Sequence, residues 1–212
     1  MKFITQEQAS KVYVCLRYLI YFALTVGFAY SLHLLAALYQ GKTFVEHGIV
    51  ENLQIACLWL STFIFSIQIV LLKKHRALLI LFASFCCFAS IRELDSFFEI
   101  VLPWISWKFA CLFPIGAIGY LIYDRKQATK SITEFIGTPA FSLMTTLMFI
   151  FIAVAQVIGN KELILNSNPG LQNVKLVRRL LEEGTELIAY FLLVLSSVEM
   201  YFSMKHQDKN QK

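Results

Sequence analysis

The chain has 212 residues, of which 58% are hydrophobic and only 16% are charged. This composition excludes an ordinary water-soluble domain, and the apolar residues fall in blocks long enough to cross a bilayer. The formal net charge is +5. Because the basic residues lie in short segments that flank the apolar blocks, they indicate membrane topology and argue against a nucleic-acid partner. We therefore predict an integral membrane protein in contact with the lipid bilayer.

The apolar blocks predict an all-α fold, a polytopic bundle of six transmembrane helices in a single domain that covers residues 1–212. Gly41 and Lys42 interrupt the first block, and Pro103 ends the third. The predicted helices cover residues 12–39, 47–72, 77–102, 105–123, 139–158 and 174–204.

Two connecting segments have patterns of their own. The segment from Asp124 to Gly137 is polar and basic, but Ile132, Phe135 and Ile136 recur in it at helical spacing. This pattern predicts a short amphipathic helix on the membrane surface. Further along, the run Asn-Ser-Asn-Pro-Gly at 166–170 predicts a turn before the last helix.

Six spans place both termini on one side of the membrane, and the basic residues indicate which side. The loops on the terminal side, 73–76 and 124–130, each contain three lysine or arginine residues. The loops on the other side contribute mainly the single lysines Lys42, Lys108 and Lys161. By the positive-inside rule we expect both termini in the cytoplasm.

Charged residues interrupt the end of the third apolar block. At about 1.5 Å per residue, Arg92 lies roughly 22 Å along this helix from Ala77, within a hydrocarbon core of about 30 Å. The same calculation brings Glu51 of the second helix and Glu186 of the sixth to a similar depth. Three helices therefore contribute acidic groups to one layer near the outer boundary. The candidate binding residues of this layer are Glu51, Arg92, Glu93, Asp95, Glu99, Arg179, Glu182, Glu183, Glu186, His33 and His47.

Helical phase predicts how the layer is arranged. Arg92, Asp95 and Glu99 share one face of the third helix, whereas Glu93 points away from that face. An unpaired guanidinium at this depth would be costly, so we expect Arg92 to pair with a carboxylate of the second or sixth helix.

Two interpretations of the layer remain open. The charged groups could be structural ion pairs that fix the register of the helices. Alternatively, they form a site that opens outward, since ionisable residues within a membrane are candidates for function. Acids outnumber arginines, which favours a cation or a proton over an anionic headgroup. In this second interpretation Glu51, Asp95 and Glu186 line one outward-facing cavity.

Metal and cofactor chemistry find little support in the spacing of potential ligands. His33 or His47 could join the carboxylates, but the sequence contains no Glu-x-x-His or His-x-x-x-His pair. All the cysteines lie in predicted spans and form no Cys-x-x-Cys motif, which argues against a disulfide framework or a zinc knuckle. They are Cys15, Cys57, Cys86, Cys87 and Cys111. The sequence predicts no particular metal or cofactor.

Three motifs resemble those of a group of bacterial multi-pass inner-membrane proteins. They are ExGxVE from Glu46 to Glu51, RExD from Arg92 to Asp95 and EExxE from Glu182 to Glu186. The resemblance covers most of the chain from Glu46 onward. It implies six helices and a location in the bacterial inner (cytoplasmic) membrane, but it implies no activity.

Two classes of function follow from these observations. In the first, a non-enzymatic membrane protein uses the acidic layer to bind a cation, a proton-coupled solute or a partner subunit. In the second, a membrane-embedded hydrolase or transferase acts on a lipid through paired carboxylates, with or without a metal. The sequence favours the first class because neither a committed nucleophile nor a metal-ligand spacing accompanies the acids.

Overall fold

The computed structural model describes residues 6–39, 48–94, 107–167 and 173–210. Within these ranges the chain is helical and contains no strand, which confirms the predicted all-α class. Its helices are α1 (Gln6–Tyr39), α2 (Ile49–Leu71), α3 (Arg76–Glu93), α4 (Leu112–Tyr123), α5 (Arg125–Ile136), α6 (Pro139–Phe149), α7 (Lys161–Ser167) and α8 (Val174–Asn210).

Short irregular segments connect or prolong these helices. A 3₁₀ turn, Lys73–His75, joins α2 to α3, and another, Trp107–Cys111, precedes α4. α6 is prolonged by a π-helical segment, Ile150–Ala155, and a last turn, Gln156–Ile158. The predicted end of the third helix, residues 95–102, lies outside the described residues, as do His47, Asp95 and Glu99.

Four helical segments of the described chain are long and apolar enough to cross a membrane. They are Lys11–Tyr39, Ile49–Leu71, Lys73–Glu93 and Val174–Asp208. α5 and α6 pass the same test together, as one span bent by 85°, which raises the number to five. The apolar helix Lys108–Tyr123 is shorter than these.

The chain divides into two compact units, Met1–Thr43 and Phe44–Lys212. The first contains α1, whose large apolar side chains are mostly exposed, Phe22 at 70% for example. Its hydroxyl groups bond to the helix itself, since Thr25 donates to the carbonyl of Tyr21 at 2.8 Å. Such a surface suits an apolar solvent, because its polar groups are satisfied internally.

In the second unit, α2 and α8 pack side by side and run parallel. The Gln54 amide nitrogen donates to the main-chain carbonyl of Glu183 at 3.1 Å, and the Gln68 amide nitrogen donates to that of Ser197 at 2.7 Å. The two residues of each pair are 129 positions apart in the sequence, so the helices keep the same register at both contacts. These contacts fix α8 against α2 over about four turns.

Polar residues recur at every seventh position along the buried face of α2. Gln54, Ser61 and Gln68 are all at most 2% exposed. Seven residues are nearly two helical turns, so these side chains lie on one stripe. His75, seven residues further on in the 3₁₀ turn, is also fully buried. Since α2 is apolar around most of its circumference, this polar stripe marks the face that it buries against other helices.

α3 and α6 run antiparallel to α8. The hydroxyl of Tyr190 in α8 meets Glu93 at the end of α3, whereas Asp208 lies near His75 at its start. Ser196 of α8 donates to the carbonyl of Ala140 near the start of α6, and the ring of Phe151, in the π-helical segment after α6, lies 5.4 Å from that of Tyr190. We call the end of the second unit that contains Glu93, Glu183 and Glu186 the acidic end.

We call the opposite end, which contains Lys73, Lys74 and Lys205, the basic end. α5 packs there, as Gln127 and Ser131 donate to the carbonyl of Lys74 at 2.8 and 2.9 Å. The helix predicted for this segment is therefore confirmed, while its position relative to a membrane stays a prediction.

The apolar core lies between these helices. Phe65, Leu79, Ala140 and Met200 from α2, α3, α6 and α8 are fully buried in it. The ring of Phe135 from α5 closes the core near the basic end, 5.4 Å from Phe82 and 5.5 Å from Phe141.

Space for a side chain is tight at Gly159, where the chain after α6 meets α8. A Cβ atom there would lie 3.0 Å from the main-chain oxygen of Ala155 and 3.1 Å from Cδ of Glu182. By contrast, a Cβ atom at Gly119 in α4 would meet nothing within 4 Å. Gly119 therefore serves as the control position for a substitution at Gly159.

We predict opposite effects of alanine at the two positions. Gly119→Ala should stabilise α4 by about 0.5–1 kcal/mol through helix propensity, whereas Gly159→Ala should lower the unfolding midpoint because Glu182 and the turn after α6 must shift to admit the methyl group. Thermal unfolding of both variants in one detergent measures the difference. A Gly159→Ala protein at least as stable as Gly119→Ala would contradict the close approach.

Candidate functional site

The acidic end is organised around a hydrogen bond between α3 and α8. Tyr190 donates its hydroxyl to Oε1 of Glu93 at 2.9 Å. The same oxygen lies 3.3 Å from a guanidinium nitrogen of Arg92. The side chain of Glu93 is only 13% exposed, while that of Arg92 is 49% exposed. The buried phenol of Tyr190 therefore holds the Glu93 carboxylate inside the unit, and the half-exposed guanidinium of Arg92 lies beside this carboxylate.

A second carboxylate is held by α2. The amide nitrogen of Gln54 lies 3.1 Å from Oε2 of Glu183 as well as from its main-chain carbonyl. Gln54 is fully buried, and its amide oxygen has no hydrogen-bond partner within the described residues. The amide oxygen of Gln68, on the same buried stripe of α2, is likewise without a partner in the described residues, so a free acceptor is not peculiar to the acidic end. The amide of Gln54 lies beside the Glu183 carboxylate.

Glu186 is the most enclosed acid of this cluster, with 6% of the residue exposed. In the described part of the chain its carboxyl group takes part in no hydrogen bond or salt bridge. Its electrostatic neighbours include Glu93 and Glu183, and Arg92 is the cation among them. A buried carboxyl group in such surroundings lacks the compensation that a charged form needs.

The acids of this end interact electrostatically with one another. Glu93 interacts with Glu183 and with Glu51 of α2 as well as with Arg92. Glu186 interacts with Glu93 and Glu183, and also with Arg92. Like charges that interact in a partly dry site favour a bound proton or a bound cation. We call Glu51, Glu93, Glu183 and Glu186 the carboxylate cluster.

An apolar cavity adjoins the cluster. It has a volume of about 300 Å³ and lies between α3, α8 and the π-helical segment after α6, with a wall from α2. Arg92 and Tyr190 line it, and both also contact Glu93. Apart from these two residues its lining is almost wholly apolar, including Leu58, Phe88 and Phe151.

The structure corrects one expectation about α3. Helical phase placed Glu93 on a different face from Arg92, and in the structure it is Glu93 that faces α8, where it accepts the hydrogen bond from Tyr190. Arg92 was expected to pair with a carboxylate of another helix, but its salt bridge is to Glu93, the next residue of its own helix. Since α3 presents Glu93 inward, Arg92 turns partly to the surface.

The remaining predicted site residues lie in different places. Glu182 is outside the inner cluster and pairs with Arg178 at 3.1 Å, one helical turn away. Arg179 is half-buried on α8. His33 lies on α1 in the first unit, exposed, with its ring 6.0 Å from that of Tyr30. His47, Asp95 and Glu99 are outside the described residues.

Sequence analysis missed Tyr190 and the cavity. Tyrosine is common near membrane interfaces, so its position four residues after Glu186 carried no distinctive signal. It also missed His75, treated only as part of a basic helix stop. The His75 ring is fully buried, with Nε2 3.8 Å from Glu134 and 4.0 Å from Asp208. The spacing of seven from Gln54 through His75 could have revealed this buried stripe.

Metal binding finds no support within the residues that the structure describes. No group of three or more histidine, cysteine, aspartate or glutamate residues there could hold a metal ion. The cysteines in the described ranges are free thiols.

Comparison with known proteins gives no further assignment. The sequence matches no known family model, no curated protein and no solved structure. The resemblance of its motifs to bacterial inner-membrane proteins therefore stays a prediction.

The bond between Tyr190 and Glu93 leads to a stability prediction. Tyr190→Phe removes the phenolic donor of a largely buried carboxylate, so we expect a loss of about 1–3 kcal/mol. Tyr123→Phe is the control, since Tyr123 in α4 is 88% exposed. Chemical unfolding of both variants in detergent measures the two losses. Equal stability of the variants would show that this bond contributes nothing.

Proposed function

We propose that this protein is an integral membrane protein that reversibly binds a small cation at the carboxylate cluster, through one or two of its carboxylates together with neutral oxygens, with the proton as the competing occupant. The observation that carries the proposal is Glu186, a buried carboxyl group that faces Glu93 and Glu183 and has no hydrogen bond or salt bridge in the described chain. A bound cation or a proton supplies the missing compensation.

The chemistry of the cluster favours a cation over an anion. Carboxylates of α2, α3 and α8 interact electrostatically, and the amide oxygen of Gln54, whose nitrogen bonds Glu183, adds a neutral acceptor. Hard monovalent cations and protonated amines prefer such oxygen donors. The donors of Tyr190 and Gln54 hold Glu93 and Glu183 in place, so the cluster is formed before a ligand enters.

Enclosure argues for a small ligand rather than a partner subunit. Gln54 and Glu186 lie among the helices of the second unit and not on its outer surface. A protein partner would need these groups to be accessible, whereas an ion needs only a narrow path.

The directions of the helices support six spans. α3 ends at the acidic end, and α5 lies at the basic end. The chain between them must return along the unit, and α4, which packs on α3, is the apolar helix available for this. Together with α1, α2, α3, α6 and α8, this gives six crossings.

The proposed topology follows from the basic residues. With six spans both termini share a side with the basic end, which the positive-inside rule assigns to the cytoplasm of a bacterial inner membrane. The carboxylate cluster then lies near the outer surface, open to the extracytoplasmic side.

Charge-neutral substitution tests the cation site. We expect Glu186→Gln to remain folded and to abolish binding of Na⁺ or K⁺, because the amide keeps the shape of the side chain but not its charge. Glu162→Gln, an exposed acid of α7 outside the cluster, should behave like the wild type. Titration calorimetry in detergent, with a pH indicator to detect released protons, measures both effects.

A binding isotherm and proton release in Glu186→Gln equal to those of the wild type would refute the site. So would a wild-type protein that binds neither cation between pH 6 and pH 8. Circular dichroism of each variant separates loss of binding from loss of fold.

Cysteine labelling tests the topology. In a cysteine-free background, Lys126→Cys on α5 and Asn166→Cys on α7 are both exposed positions at opposite ends of the second unit. We expect an impermeant thiol reagent to label residue 166 but not residue 126 in intact cells, and both after lysis. The reverse pattern would place the termini outside.

A further inference from the structure

We infer that a cavity at the basic end binds the phosphate headgroup of an anionic phospholipid. The observation that carries this inference is a cavity of about 490 Å³ whose lining contains Lys73, Lys74 and Lys205. We call it the lysine cavity. The inference rests on the membrane location in the proposed function, but not on the cation site, which lies at the opposite end of the second unit.

The lysine cavity has an excess of positive charge. Its lining contains three lysines and a single acid, Asp208, which pairs with Lys74 at 2.9 Å. Within the described residues Lys73 takes part in no salt bridge, and the ammonium group of Lys205 donates to the neutral hydroxyl of Tyr201 at 2.8 Å. Two ammonium groups therefore lack a carboxylate partner, and an anion in the cavity would supply their counter-charge.

Tertiary contacts hold the backbone that carries these lysines. The amide nitrogen of Gln127 in α5 donates to the carbonyls of Lys73 and Lys74 at 3.0 and 2.8 Å. The hydroxyl of Ser131 adds a second bond to the Lys74 carbonyl at 2.9 Å. The 3₁₀ turn is thus fixed to α5, while α8, which carries Lys205, is fixed to α2 by the Gln68 amide. The lysines come from different elements, but their spacing is set by the fold.

The cavity lies where an apolar segment ends. Lys73 comes two residues after Leu71, the last residue of the apolar segment Ile49–Leu71. If this segment spans a bilayer, its end lies at the level of the lipid headgroups. Basic pockets between membrane helices at this level are suited to anionic headgroups, and lysine side chains can extend toward the phosphates.

An apolar strip on α2 favours a lipid over a soluble phosphate. Phe63, Ile67 and Leu71 follow one another at every fourth position and are 63%, 43% and 58% exposed. Leu71 also lines the lysine cavity, so the strip begins at the cavity and continues along the outer face of α2 for about 12 Å. An acyl chain attached to a phosphate in the cavity would lie on this strip. A soluble phosphate would leave the strip unused.

Two lipids that differ only in charge test the inference on the unmodified protein. Dioleoyl phosphatidylglycerol and dioleoyl phosphatidylcholine have the same acyl chains and the same phosphate, but the choline group neutralises the second lipid. We expect the full chain in detergent to bind phosphatidylglycerol at least about tenfold more tightly. Native mass spectrometry during titration measures both affinities. Equal affinities would overturn the inference.

Paired substitutions locate the site. The double variant Lys73→Gln and Lys205→Gln removes two charges from the cavity. The control, Arg125→Gln and Lys126→Gln, removes two charges from exposed positions of α5 at the same end but outside the lining. Since a lysine near a membrane surface contributes about fivefold in affinity, we expect phosphatidylglycerol to bind the first variant about 25-fold more weakly.

The control should lose less than about threefold, because its charges act from outside the cavity. An equal fall in both variants would show diffuse attraction to the basic end and would overturn the site. All four substituted residues are exposed, so the fold should persist, and circular dichroism verifies it.

Inorganic pyrophosphate distinguishes a soluble ligand from a lipid. We expect it to bind the wild-type protein more weakly than phosphatidylglycerol, since it has no acyl chain for the strip on α2. Tighter binding of pyrophosphate, lost in the Lys73→Gln and Lys205→Gln variant, would assign the cavity to a soluble phosphate and overturn the lipid.

The cation site is tested separately from this inference. Glu186→Gln should bind phosphatidylglycerol as the wild type does, because Glu186 lies at the acidic end. If no Na⁺ or K⁺ binds but the preference for phosphatidylglycerol depends on Lys73 and Lys205, the cation site fails and the lipid site stands. If Glu186→Gln loses cation binding while both lipids bind equally, the lipid site fails and the cation site stands.

Discussion

The side-chain amides between α2 and α8 are the contacts on which the second unit depends. Within a bilayer, apolar helices gain little by packing together, since lipid is as apolar as a leucine side chain. Gln54 and Gln68 supply directional bonds that apolar contact cannot. If α8 slid by one turn, about 5.4 Å, both bonds would break. Tyr190 would leave Glu93 in the same step, so the register of two helices determines whether the site exists.

That register makes the carboxylate cluster stable enough to persist. Glu93, Glu183 and Glu186 disfavour one another's charged forms, whereas Arg92 favours them. The hydrogen bonds of Gln54 to Glu183 and of Tyr190 to Glu93 hold two of these acids in place. Under the proposed function, a bound positive charge would compensate them.

The two ends of the second unit differ in how their charges are compensated. At the basic end, Lys74 pairs with Asp208 at 2.9 Å, and Lys205 contacts the hydroxyl of Tyr201 at 2.8 Å. At the acidic end, the inner carboxyl group of Glu186 has no such pair in the described chain. The stripe of buried polar side chains from Gln54 to Gln68 connects the two ends along α2. This asymmetry, more than the number of charges, supports the proposed binding site over a structural ion-pair network.

The sequence by itself determined the all-helical class, the apolar blocks of α2, α3 and α8, and the common level of Glu51, Glu93 and Glu186 along their helices, because hydropathy and rise per residue are local properties. Only the tertiary structure decided which way Glu93 and Arg92 face. It also revealed the partners Tyr190 and Gln54 and the cavity beside them. These depend on the rotation of each helix about its axis and on the register between helices, which arise from packing of residues distant in sequence. A pattern within one helix cannot specify them.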